Sequence, residues 1–140
     1  MKRQILVSAA IVTALALPAL AAPPVVSVVP ANVRFGKQPL ETETKASFTI
    51  TNQSDQTVLV TIEQVEVWDD FSPGQVESTC PLGESYLPAG QSCNHVIGFR
   101  PSLFFLGRET SLMRVTAHDE SGTVLLFDRD VKLTGTGVIE

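Results

Sequence analysis

Cys80 and Cys93, His95 and His118, and the acidic run around Asp69 and Asp70 are the side chains that could support redox, metal or acid–base chemistry. Twelve residues separate the two cysteines. That spacing is not the Cys-x-x-Cys of a redox centre, and no second pair exists to complete a zinc site. An even cysteine count in an exported domain implies a disulfide instead. Closing a loop of this length contributes about 3 kcal/mol by the chain-entropy argument. The expectation is a structural bridge between Cys80 and Cys93.

The other candidates have blander readings that outweigh the chemical ones. His95 shares the parity of Cys93, Ile97 and Phe99, so it belongs on an inward strand face as a hydrogen-bonded core histidine. A pH-sensitive or metal-binding group is its alternative reading. His118, Asp119 and Glu120 read as a solvated hairpin tip. Asp69 and Asp70 could ligate calcium, but such a site needs several spaced oxygens, and Glu66 and Glu77 do not form a known loop with them. Serines are plentiful, yet no Gly-x-Ser-x-Gly elbow occurs. No catalytic residue, metal site or cofactor is expected, and the chain reads as a non-enzyme.

The first 21 residues look like an export signal. Lys2 and Arg3 precede an apolar run from Ile5 to Leu17, and Pro18-Ala19-Leu20-Ala21 offers the small residues that signal peptidase accepts. The run is short for a bilayer span, which needs roughly 20 apolar residues. No second apolar segment follows, so no integral membrane segment is expected after cleavage. Residues 22–140 then form one domain, periplasmic or extracellular in a bacterium. With Lys2 and Arg3 gone, eight basic side chains face fifteen acidic ones. Such a surface repels phosphate backbones, so nucleic acid is excluded as a partner.

The elements that must carry these residues are strands. Val25–Val29 is a β-branched run ended by Pro30, and Asn32–Phe35 is a short strand closed by Gly36. Ala46, Phe48 and Ile50 alternate with polar residues at period two. Asn52-Gln53-Ser54-Asp55 reads as a hairpin turn. Val58, Val60 and Ile62 share a face, whereas Val65 and Val67 have the opposite parity, which calls for a bulge at Glu63-Gln64. Further strands are expected at His95–Phe99, Thr110–Ala117 and Thr123–Thr134, the last two joined by a turn at Asp119–Gly122. No stretch after the signal holds a 3.6-residue apolar period. About seven short strands in some 120 residues imply an all-β sandwich.

The order and spacing of several short strings carry a family resemblance. They are Val33-Arg34-Phe35-Gly36, Phe48-Thr49-Ile50-Thr51-Asn52, Leu87-Pro88-Ala89-Gly90-Gln91-Ser92-Cys93, Phe99-Arg100-Pro101 and Leu133-Thr134-Gly135-Thr136-Gly137. Together, from about residue 28 to 138, they resemble the bacterial immunoglobulin-like domains of the ASPM–SPD-2–Hydin type, also called choice-of-anchor D domains. The resemblance implies an immunoglobulin-like sandwich with a binding or scaffolding role. A copper–zinc dismutase shares that architecture, but two histidines cannot furnish its metal centre.

One segment departs from an ordinary domain. Leu103-Phe104-Phe105-Leu106 puts four apolar residues in a row between Pro101 and Gly107, where a turn is expected. Either the segment folds under the sandwich and plugs its open end, or it is an exposed partner-binding anchor. Trp68, Phe71 and Tyr86 are the next candidates for contact, and the Val25–Val29 edge offers a route by strand addition. The expectation is an exported module that binds another protein, of unknown identity. The alternative is a structural subunit, or a chaperone-like component working by strand addition, in an envelope or appendage assembly.

Overall fold

A computed structural model describes residues 25–66, 70–74, 77–104 and 106–139. The export segment, Val67, Trp68, Asp69 and Phe105 lie outside the described residues. Nine strands follow in chain order: β1 Val26–Val29, β2 Asn32–Pro39, β3 Thr44–Asn52, β4 Val58–Gln64, β5 Phe71–Gly74, β6 Gly83–Leu87, β7 Ser92–Phe99, β8 Gly107–Asp119 and β9 Leu125–Val138. They form two sheets, β1-β3-β7-β5 and β2-β9-β8-β4-β6. This is the immunoglobulin-like sandwich, all-β among the described residues.

Period-two alternation builds the core between the sheets. Phe48 and Ile50 of β3 and Cys93, His95, Ile97 and Phe99 of β7 point inward from one sheet. Val58, Val60 and Ile62 of β4, Met113, Val115 and Ala117 of β8, and Val131 and Leu133 of β9 meet them from the other. Cys80 and Cys93 are bridged with their Cα atoms 5.6 Å apart, both sulfurs inside the core. The sequence therefore placed the staple and its strand correctly.

Four local expectations change. Gly36 does not close β2: with φ at 70° it forms a bulge, and the strand runs on parallel to β9 as far as Pro39. Asn52–Asp55 is not a hairpin turn, because β3 and β4 belong to opposite sheets. Asn52 turns the chain across the sandwich instead. Its buried side chain donates to the carbonyls of Gln56 (2.7 Å) and Leu87 (2.9 Å) and accepts from Ser54 N–H at 3.0 Å. The parity change after Ile62 falls later than Glu63-Gln64. The amides of Val65 and Glu66 both donate to the carbonyl of Leu112, two residues facing one, just past the end of β4. Finally, β5 and β6 bring the strand number from about seven to nine. Phe71-Ser-Pro-Gly and Gly-Glu-Ser-Tyr-Leu lack an apolar alternation, and pairing with β7 and β4 makes them strands.

Candidate functional site

The connection from β7 in one sheet to β8 in the other, described at residues 100–104 and 106, arches over one end of the sandwich. Of the apolar string, Leu103 is 65% exposed, Phe104 90% and Leu106 59%. The plug reading fails for these three. The space they would fill is already occupied by Phe35, Phe71 and Phe99, whose ring centroids lie 4.8–5.6 Å apart. Phe71, a sequence candidate for contact, is part of that core. Tyr86 lies exposed on β6, away from the arch.

The arch is pinned from both sides. Glu41, in the β2–β3 turn, donates its N–H to the carbonyl of Pro101 at 2.8 Å. Its carboxylate accepts from Arg100 at 3.0 Å and from the Leu103 amide at 3.2 Å. Glu41 does this from a left-handed backbone, φ 62°, a conformation that a non-glycine residue keeps only when its surroundings hold it there. On the other side, the Asp70 carbonyl accepts from the Arg100 amide at 2.9 Å, and its carboxylate from the Ser102 amide at 3.1 Å. These bonds hold the backbone while the apolar side chains turn to solvent. Ile139, 72% exposed and two residues past the Gly137 that pairs with Gly107, emerges at the same end of the sandwich. Nothing in the sequence marks Glu41 or Ile139. Their role depends on which ends the topology gathers together.

Beneath the arch, Asp70 and Glu109 are both buried. Burial, reinforced by the neighbouring Asp70 carboxyl, pushes Glu109 up to about 7. His95 is buried in the core with Nδ1 2.7 Å from the carbonyl of Cys80. A carbonyl only accepts, so Nδ1 carries the proton, and burial lowers the pKa of the ring. The bland reading of His95 therefore holds. That of His118-Asp119-Glu120 does too: Asp119 accepts from the amides of Thr123 and Val124 and caps the β8–β9 hairpin. Among the described residues no three His, Cys, Asp or Glu converge as a metal site. No helix there is long and apolar enough to cross a membrane.

The two buried groups set opposite pH slopes. The raised pKa of Glu109 gives a contribution that is full below its ordinary 4.5 and is lost as pH rises through about 7. The lowered pKa of His95 gives one that is present above its ordinary 6.5 and is lost as pH falls below it. Thermal unfolding of Glu109→Gln should show higher stability than the parent at about pH 8 and no gain at about pH 4. Equal differences at both pH values would contradict this.

No protein-family model matches the sequence, and no curated protein does. Solved structures are similar in fold. The PapD-like domain 7 of human CEP192, an ASH domain, superposes with a TM-score of 0.71 at 11% identity, over 89% of this chain and 94% of that one. WR4, an MSP family member of C. elegans, gives 0.52 at 8% identity over 83% and 100%. The E. coli chaperone DraB gives 0.56 at 17% over 79% of this chain and 53% of its own. The fold is thus that of ASH and PapD-like domains, the class the sequence strings resemble. Identities this low speak to fold alone.

Proposed function

We propose that this protein is an exported, non-catalytic binding module of the cell envelope or extracellular space, and that the arch 100–106 is the part that meets its partner, another protein. The observation that carries this reading is the arrangement of the tip. Three large apolar side chains are solvent-facing, while the backbone beneath them is fixed by Glu41 and Asp70. Exposed apolar clusters on ordered supports lose little entropy on binding, and central aromatic residues dominate interface energetics. The disulfide and the Lys2–Ala21 pattern support export. The likeness to chaperone and ASH folds is compatible with a binding role.

Phe104→Ser with Leu106→Ser should leave the unfolding temperature within about 2 °C of the parent, since exposed positions contribute little to stability. The same change should weaken partner binding by about 2 kcal/mol or more, read by affinity capture from the cells that make the protein. Unchanged capture by a folded double variant would sink the reading.

A second reading, an assembly component working by strand addition, draws on the open edges. β1 does lie at a sheet edge, as an apolar strand of four residues.

A further inference from the structure

Alternation along β8 turns Glu109 inward with Ser111, Met113, Val115 and Ala117, at the end of the sandwich that the arch covers. Glu109 is 8% exposed and Asp70 6%. Both carboxylate oxygens of Glu109 are shut off from solvent without a hydrogen-bond partner among the described residues, and so is the hydroxyl oxygen of Ser102 in the arch. The Glu109 carboxyl lies within hydrogen-bonding reach of that of Asp70, and Asp70 in turn accepts the Ser102 amide on Oδ2. No cation answers the pair. Arg100 bonds Glu41 at 3.0 Å, Lys45 lies with Glu43 and Glu77 at the surface, and among the described residues neither buried carboxylate has an ion-pair partner. Buried charges are paired, neutralised or bound to a metal, and an orphaned buried polar atom requires a cause. One proton shared between the two carboxyls would leave the second Glu109 oxygen and the Ser102 hydroxyl unanswered.

We propose that Asp70 and Glu109, with the hydroxyl of Ser102, hold a calcium ion beneath the arch. The donor set selects the ion. Every donor is an oxygen, and the two carboxylates supply the charge that balances a divalent cation. No nitrogen or sulfur is offered, so the set suits calcium rather than zinc or copper. Glu109 can give both oxygens, Asp70 its Oδ1 and Ser102 its Oγ. Asp70 and Ser102 also line a cleft of about 450 Å3, rimmed by Glu41 and Glu43. The cleft provides an entry path, and water from it completes the shell of about six to eight oxygens that calcium takes. Magnesium demands a tighter octahedron and gives up water reluctantly, so two buried carboxylates favour the larger ion. Sequence spacing sets Asp70 beside Glu66 and Glu77, whereas the fold sets it against Glu109 of the opposite sheet. The ion thereby ties the arch and the approach to β5 onto β8. The inference stands independently of what the tip binds.

Calorimetric titration of the purified, chelator-treated protein with calcium chloride at about pH 8 should show one site with a Kd of about 0.1–1 mM, the range of extracellular calcium modules. By mass action, about 10 mM calcium should raise the unfolding temperature by about 5 °C or more. Magnesium at the same ionic strength should give less than half that rise. Glu109→Gln keeps the shape of the side chain and, without calcium, should be the more stable protein at this pH. It should lose both the heat of binding and the calcium-dependent rise. Asp70→Asn should weaken binding about tenfold or more, whereas Glu120→Gln, past the far end of β8, should bind as the parent does. No binding by the parent at up to about 10 mM calcium, an equal rise with magnesium, or parental binding retained by Glu109→Gln or Asp70→Asn overturns the inference.

Discussion

Replacing Gly135 with alanine should cost about 1–3 kcal/mol of stability, the range for forcing an extra methyl into a packed core. A Cβ built at Gly135 falls 2.4 Å from Cε1 of Phe99, 2.6 Å from Cζ and 2.7 Å from Cδ1. The ring has little room to retreat. Phe99 is fully buried, with Phe71 at 4.8 Å and Phe35 at 5.5 Å between centroids. The loss therefore belongs to the pair and not to glycine's backbone freedom. Urea unfolding of Gly135→Ala, Phe99→Leu and the double variant checks this, because Phe99→Leu should relieve the clash and the double variant should lose less than the two singles combined. Strict additivity would refute the steric account.

Converting Cys80 and Cys93 together to alanine should cost about 3 kcal/mol, chiefly by releasing a constraint on the unfolded chain. The cross-link spans 13 positions. Apart from the cross-link to Cys93 of β7, the backbone of the segment around Cys80 is held to that strand by hydrogen bonds. The amides of Thr79 and Cys80 donate to the carbonyl of Asn94 at 2.9 and 3.0 Å, and His95 Nδ1–H donates to the carbonyl of Cys80. Amide exchange at Thr79 and Cys80 should accelerate more than at β3 or β8, since local opening follows the loss of local anchors. A variant as stable as the parent, with unchanged exchange there, would contradict the staple.

Much of this could be read from residue order, for identifiable reasons. The parities of Ala46-Phe48-Ile50 and Cys93-His95-Ile97-Phe99 belong to one-sided strands, and alternation alone assigns their inward faces. The turn at Asp119–Gly122 was legible from its composition. Pairing across the chain was not. Asn52 was visible as a turn residue, but only the position of Leu87 reveals that the turn crosses between sheets. β5 is held by β7 and carries no periodic signal of its own. At the tip, the apolar string stood out, but the two readings differed over whether the end of the core was already full. Phe35, Phe71 and Phe99 fill it, from three separate strands, and no local pattern could reveal that.

The proposed binding surface is the exposed apolar tip of Leu103, Phe104 and Leu106, above a backbone held by Glu41 and Asp70. A photo-crosslinking side chain installed at position 104, in the cells that make the protein, reads that surface directly. Irradiation should give one discrete adduct with another protein, whereas the same group at Ser47, exposed on the outer face of β3, should give none. A folded protein that yields no adduct from position 104, or the same adducts from both positions, would show that the tip is not where this molecule works.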